Sequence, residues 1–150
     1  MNTEKIKILI ADDHPIFLKG LQEVIEDTGT MQVVFRAHNG TDAINAALSK
    51  DLDIAILDID MPGANGLQVA EQILAKKPEI AIILLTMHKA KDAFLKALEI
   101  GVSGYVLKEN AVVDIINAIA AVRKYQSYIS PEMSSFLLKN KHRSRNDAAS

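Results

Sequence analysis

The chain has 150 residues, a mass of 16.4 kDa, 49% hydrophobic and 24% charged residues, and a formal charge of −2 from 17 basic against 19 acidic side chains. These are the proportions of one ordinary globular domain, and the near balance of charge excludes an overall basic field that would draw nucleic acid. Cysteine is absent, which excludes disulfides and thiolate metal sites, and the first apolar run, Ile8 to Ala11, is too short for a signal peptide or a membrane span, so a cytoplasmic domain with no membrane partner is expected.

From the N-terminus, Ile6–Ala11 is a nearly continuous apolar run of the kind that forms a strand buried on both faces. His14-Pro15 opens a helical pattern with Phe17, Leu21, Val24 and Ile25 on one face, proline being tolerated at a helix start where its missing N–H costs little. Met31–Ala37 mixes Gln32 and Arg36 among apolar residues and suits an edge strand. Thr41-Asp42 starts a second helix containing Ala43, Ile44, Ala47 and Leu48. Ile54–Leu57 is another buried strand, followed by a helix over Leu67–Lys77 that Pro78 ends. Ile80–Leu85 repeats the strand pattern, and Phe94, Ala97 and Leu98 mark a helix closed by Gly101. Tyr105–Leu107 is the last and shortest strand, and Val112, Ile115, Ile116, Ile119 and Val122 mark the fifth helix. Five β-α units in succession predict an α/β fold, with parallel strands, right-handed crossovers and helices on both faces of the sheet.

After Tyr125 the pattern changes. Ser130-Pro131-Glu132 is suited to cap a short helix over Glu132–Leu138, and the polar, basic stretch from Lys139 to Ser150 has no apolar periodicity. The expected organisation is therefore one domain over 1–125 and a linker helix with a basic tail over 126–150. Lys139, Lys141, Arg143 and Arg145 read as a solvated linker, because the run is short and carries no helix-turn-helix.

Ligands of doubly wound sheets bind at the carboxyl ends of the strands. There the sequence places Asp12 and Asp13 after the first strand, Asp58 and Asp60 after the third, Thr86 after the fourth and Lys108 after the fifth. Taken singly, an aspartate in such a place can be a helix cap or a loop residue, and Thr86 or Lys108 is uninformative. Together they form a pocket of carboxylates, one hydroxyl and one ammonium. Several carboxylates stay ionised at close range only with a cation, and an oxygen-only set without nearby His or Cys favours Mg²⁺ over zinc. Such a set supports phosphoryl transfer to a carboxylate, a reaction that needs mostly positioning and charge neutralisation.

Over about Lys5–Lys124 the chain resembles bacterial response-regulator receiver domains. The resemblance rests on Ile10-Ala11-Asp12-Asp13-His14, on Leu57-Asp58-Ile59-Asp60-Met61-Pro62-Gly63-Ala64-Asn65-Gly66, on Leu85-Thr86-Met87-His88 and on Gly101-Val102-Ser103-Gly104-Tyr105-Val106-Leu107-Lys108. It implies a flavodoxin-like, doubly wound sheet of strand order 2-1-3-4-5. It implies that Asp58 receives a phosphoryl group from the phosphohistidine of a sensor histidine kinase. Asp13 and Asp58 would ligate Mg²⁺ directly, Asp12 through water, with the main-chain carbonyl of Asp60 as a further ligand. Thr86 and Lys108 would contact the phosphoryl group, and Thr86 with Tyr105 would form the switch. Asp60 and His88 stand where side chains tune phosphate lifetime, and Met87 is bulkier than the residue many receivers carry beside the threonine.

Thr86-Met87-His88, Ser103–Lys108 and Tyr128-Ile129-Ser130-Pro131 resemble the receivers of regulators with a LuxR-type helix-turn-helix output. The implied readings are a receiver belonging to a longer transcription regulator, reaching DNA only through an output domain, or a stand-alone receiver acting by protein contact. Homodimerisation on phosphorylation through the first and fifth helices is a further expectation, with Ala118, Ala120 and Ala121 beside Ile116 and Ile119 either a partner surface or small residues that permit tight packing. A haloacid-dehalogenase-type phosphatase is the enzyme alternative, because Asp58-Ile59-Asp60 mimics its Asp-x-Asp loop. Met61-Pro62 follows where Thr or Val is usual, and two β-α units precede it. The chain is otherwise read as no enzyme beyond self-phosphorylation and autodephosphorylation. A dinucleotide-binding domain fits poorly, since no glycine-rich turn follows the first strand.

Overall fold

The computed structural model describes residues 4–139; the expected basic tail beyond Lys139 lies outside them. The elements run β1 (Ile6–Ala11), α1 (Pro15–Glu26), β2 (Met31–Ala37), α2 (Gly40–Ser49), β3 (Ile54–Asp58), α3 (Gly66–Lys76), β4 (Ala81–Thr86), α4 (Lys91–Ile100), β5 (Gly104–Leu107), α5 (Ala111–Arg123) and β6 (Tyr128–Ile129). Every strand pair is parallel and the order is β2-β1-β3-β4-β5-β6. The expected 2-1-3-4-5 order is present.

The apolar runs explain the centre of the sheet. Strand residues alternate between two core layers, so a strand covered on both faces must be apolar throughout. Ile8, Ile10, Ile54, Ile56, Ile83, Leu85 and Val106 face α1 and α5, packing on Leu18, Leu21, Ile115 and Ile119. Leu9, Ala55, Leu57, Ile82, Leu84, Tyr105 and Leu107 face the opposite layer, with Ala43, Val69, Ile73, Phe94 and Ala97 from α2, α3 and α4. Gln32 and Arg36 are exposed on the edge strand β2, as their polarity requires. On α5, Ala118 and Ile119 are fully buried in the core, which removes them from any partner surface; Val112, Val113 and Ala120 are exposed apolar residues of this helix.

The sheet does not end at β5. β6 pairs Tyr128 with Gly104 and Ile129 with Tyr105. Ser130, fully buried, ties the next turn to the same strand: its N–H donates to the Tyr105 carbonyl at 3.0 Å, and its hydroxyl accepts from the Leu107 N–H at 3.2 Å. Residues 131–139 are helical and lay Met133, with no exposed surface, against the Tyr105 side of the core, with Phe136 and Leu137 beside it. A two-residue strand has no periodicity to read, and from sequence this segment reads as a linker.

Helix starts fix the loops that carry the site. Asn65 and Gln68 form a reciprocal capping box at α3. Gly66 presses against the Asp58 carbonyl so closely that any Cβ there would collide with backbone, which holds the start of α3 on the end of β3. Neither Asp12 nor Asp13 caps α1; the N-cap residue is His14, and it makes no side-chain capping bond. Both aspartates are thereby left for the pocket.

Candidate functional site

The parallel order brings the ends of β1, β3, β4 and β5 to one edge. Asp58 is the last residue of β3 and Thr86 the last of β4, while Lys108 opens a single 3-10 turn directly after β5. Asp12 follows β1, its N–H bonded to the Ala37 carbonyl of β2 at 3.0 Å. Asp12 and Asp58 are both fully buried, whereas Asp13 is exposed at the mouth.

Lys108 is the counter-charge. Its Nζ lies 2.6 Å from Asp12 Oδ2 and 3.1 Å from Asp58 Oδ2, with the lysine side chain only 10% exposed. Its ammonium also sits 4.8 Å from the centre of the Phe17 ring. Burial works against the lysine charge, but Asp12 and Asp58 outweigh it and hold its pKa above the ordinary value. The other oxygen of Asp58 accepts the Asp60 N–H at 3.1 Å. Burial first, and the Asp12 charge second, push the Asp58 carboxyl up to about 6 despite the opposing pull of Lys108.

Thr86 and Tyr105 are both in place beside this centre. Thr86 is 3% exposed; its hydroxyl donates to the His88 carbonyl and accepts the His88 N–H, both at 3.1 Å, so it faces its own loop. Tyr105 is 2% exposed, its ring edge-on to Phe94 with centroids 5.3 Å apart, and its buried Oη has no hydrogen-bond partner. Burial raises the Tyr105 phenol pKa. Asp60 and His88 are exposed, and Met87, 61% exposed, shares an opening with His14, Phe17, Lys108 and Glu109.

One site residue was missed. His14 Nδ1 lies 2.8 Å from Asp12 Oδ1, 3.0 Å from Asp13 Oδ1 and 3.0 Å from Lys108 Nζ. The expectation of a pocket without nearby histidine is therefore corrected: an imidazole stands in it. Its signal is its place directly behind the acid pair, in the motif that carries the family resemblance, where it opens α1. Among the described residues, one ligand atom from each of Asp12, Asp13, His14 and Asp58 falls within 4.8 Å of the others. Asp12 Oδ2, fully buried, is met by the ammonium of Lys108 at 2.6 Å. Three carboxylates against that one ammonium leave a net negative charge that suits a divalent cation, so these residues fit the acidic Mg²⁺ pocket typical of receiver domains. Asp60 is outside this group, which disfavours the Asp-x-Asp phosphatase reading.

A doubly wound parallel sheet with an acidic pocket, a threonine and a lysine at its strand ends is the architecture of a phosphorylation-controlled signalling switch. The family profile of the response regulator receiver domain matches residues 8–120, and the chain belongs to that family, the phosphoacceptor modules of two-component signalling. Response regulators are generally not classical enzymes. The chain is 29% identical over 147 residues to the transcriptional regulatory protein DegU of Brevibacillus brevis, covering 98% of this chain and 62% of DegU. It is 30% identical over 128 residues to the response regulator UvrY of Escherichia coli K12, covering 85% of this chain and 59% of UvrY. The chain thus spans about three fifths of the length of these curated relatives. Among solved structures it resembles a LuxR-family response regulator from Aurantimonas sp. SI85-9A1, with a TM-score of 0.86, 28% identity, and coverage of 92% of this chain and 99% of that one. It also resembles RcsB of Salmonella typhimurium, a response regulator studied for DNA interaction, with a TM-score of 0.84, 31% identity, and coverage of 91% and 68%. Among the described residues, no helix is long and apolar enough to cross a membrane.

Proposed function

We propose that Asp58 is the phosphoacceptor, taking its group from the phosphohistidine of a sensor histidine kinase. The observation that carries this is the setting of its carboxylate: buried at the end of β3, one oxygen on the Asp60 N–H and the other on Lys108. A carboxylate titrating near 6 is ionised at neutral pH and able to attack. The new Oδ–P bond forms as the P–N bond breaks, and the leaving imidazole takes up a proton. Asp12, Asp13 and Asp58, with the Asp60 carbonyl, would hold Mg²⁺, which when bound supplies charge neutralisation for the transferring group. Lys108 transfers its ammonium from the carboxylates to the phosphoryl oxygens. Thr86 exchanges its bond to the His88 carbonyl for one to the phosphoryl group, and Tyr105 responds behind it. Asp60 and His88, both exposed, set how readily water reaches the acyl phosphate, and turnover in this reading is at most self-phosphorylation and autodephosphorylation.

Residues 1–125 carry the receiver's site in this reading, β6 and the helix after it pack on that domain, and 126–150 lead toward a DNA-binding output. The support is the relatives: RcsB has been solved in complex with DNA, and two RcsB dimers bound to two DNAs. A cytoplasmic location and homodimerisation on phosphorylation belong to the same reading. Ile16 on α1 and Val113 on α5, 90% and 79% exposed, support a surface formed by those two neighbouring helices.

Intact mass after incubation with acetyl phosphate tests the acceptor. A gain of about 80 Da that needs Mg²⁺ and vanishes in Asp58→Asn is expected. No adduct, followed by no transfer from a phosphorylated kinase, would overturn it.

A further inference from the structure

The segment after α5 is attached to both stretches of chain that carry Lys108 and Thr86. β6 lies on the edge of β5, and Ser130, which follows it, has no exposed surface. The Ser130 N–H donates to the Tyr105 carbonyl at 3.0 Å, and its hydroxyl accepts from the Leu107 N–H at 3.2 Å. These bonds grip the last residues of β5 before Lys108, where Leu107 stands opposite Thr86 in the sheet. The helix over 131–139 meets the other stretch: Glu132 Oε2 lies 3.8 Å from Nζ of Lys89, three positions after Thr86. That pair is too exposed to add much stability, but it records that the helix starts against the loop between β4 and α4. Between the two attachments Met133 is fully buried in the cluster that holds Phe94 and Tyr105.

We infer that residues 128–139 form a strap that is docked while Asp58 carries no phosphoryl group and is released when it does, so that Ser130 and Met133 pass the state of the site to the C-terminal segment. The inference rests on the reading above of Asp58 as phosphoacceptor, with Thr86, Lys108 and Tyr105 as the groups that respond.

The attachments are of a kind that breaks before it stretches. Hydrogen bonds of 3.0 and 3.2 Å are lost within about another half ångström. Lys108 follows Leu107 directly, so drawing its ammonium from Asp12 and Asp58 to a phosphoryl group pulls on the residue whose N–H Ser130 accepts. When Thr86 gives up its bonds to His88, the loop that follows takes Lys89 with it. One event thus displaces both attachments, and packed interiors answer displacement by changing arrangement, not by deforming gradually. The cavity bounded by Phe94, Tyr105 and Ile129 holds about 30 Å³, too little to receive a turned tyrosine ring while β6 stays in place. By linkage, whatever loading of the site takes from the docked strap, a weakened strap returns as tighter binding of the phosphoryl group.

The test uses the full chain, which has no cysteine, so Met133→Cys introduces a single thiol at a position without exposed surface. Its reaction with a chromogenic disulfide is timed in Mg²⁺ alone, in Mg²⁺ with beryllofluoride as phosphoryl mimic, and in Mg²⁺ with acetyl phosphate. Intact mass of the last sample records the adduct. Ala47→Cys, equally buried but in α2, which packs on β1, β2 and α3, reports any general loosening. Loading is expected to speed the reaction of Met133→Cys by about fivefold or more and to leave Ala47→Cys unchanged. In the reverse direction, Ser130→Ala and Met133→Ala should bind Mg²⁺ with beryllofluoride about threefold or more tighter by calorimetry. Hydrogen exchange reads the same opening in the wild type, at the Tyr128, Ser130 and Ser134 amides that are bonded in the docked strap. An adduct without faster reaction of Met133→Cys and without faster exchange would overturn the strap and leave the acceptor standing, as would equal acceleration at Met133→Cys and Ala47→Cys. Lower stability in Ser130→Ala and Met133→Ala with unaltered beryllofluoride affinity would also overturn it, since a merely structural segment behaves that way. If neither an adduct nor beryllofluoride binding is found, the acceptor reading falls and the strap with it.

Discussion

Lys108 reaches across to Asp58, its Nζ 3.1 Å from Oδ2, while the same ammonium sits 2.6 Å from Asp12. The cation proposed to meet the phosphoryl group thus neutralises, before any transfer, the two carboxylates proposed to bind metal. In that reading it would compete with the ion and assist the reaction.

Lys108→Met separates these roles. Removing the competing charge should tighten Mg²⁺ binding several-fold by calorimetry, because Asp12 and Asp58 are left facing each other without a counter-ion. Removing the group that meets the phosphoryl oxygens should slow labelling by acetyl phosphate by about 10²-fold. A variant that loses Mg²⁺ affinity would show that the lysine organises the pocket instead of competing for it.

The raised Asp58 pKa has a definite sign for stability. In the folded, metal-free protein the carboxyl titrates near 6, above its ordinary 3.8. The folded state then holds the proton more tightly than the unfolded chain. Its relative stability is greatest below about 4 and falls as pH rises through 6. Asp58→Asn, which cannot ionise, should be more stable than wild type in EDTA at pH 7.5 by something on the order of 2 kcal/mol, the gap closing below pH 4. Thermal melts across pH read this directly, and a wild type as stable as the variant at pH 7.5 would contradict it.

Met133 and Ser130 measure how firmly the C-terminal segment belongs to the domain. Met133→Ala empties a fully buried position and should cost about 2–4 kcal/mol in urea unfolding. Ser130→Ala leaves the buried Leu107 N–H without its acceptor and should cost about 1–3 kcal/mol. If a chain ending at residue 125 unfolded at the same urea concentration as the full chain, β6 and the helix after it would contribute nothing.

Tyr105→Phe gives the opposite expectation. The buried Oη has no hydrogen-bond partner, so deleting it should leave stability unchanged or raise it by up to about 1 kcal/mol. A loss of more than about 1 kcal/mol in equilibrium unfolding would mean the hydroxyl is satisfied in solution, with Thr86 beside it as the partner.

Asp60→Asn and His88→Ala address lifetime, since both residues are exposed and each stands two positions after a site residue, Asp58 and Thr86. At least one of them should change the acyl-phosphate half-life by several-fold, followed by mass after removal of acetyl phosphate. An unchanged half-life in both would remove these residues from the tuning role.

The sequence by itself determined the framework. The continuous apolar runs of β1, β3 and β4 can be buried only between two layers of helices, and Gln32 and Arg36 can only face outward from an edge. Asp12, Asp13, Asp58, Thr86 and Lys108 were legible because each directly follows or ends such a run, and chain order plus the handedness of parallel crossovers brings strand ends together. What tertiary structure alone decided is how those side chains meet. Lys108 bridging Asp12 and Asp58, and His14 reaching a lysine 94 positions away, depend on rotamers and sheet spacing that no local pattern encodes. β6 is of the same kind: two residues have no period, and Tyr128–Ile129 becomes a strand only because the open edge of β5 offers unpaired backbone groups and the Tyr105 side of the core has room for Met133.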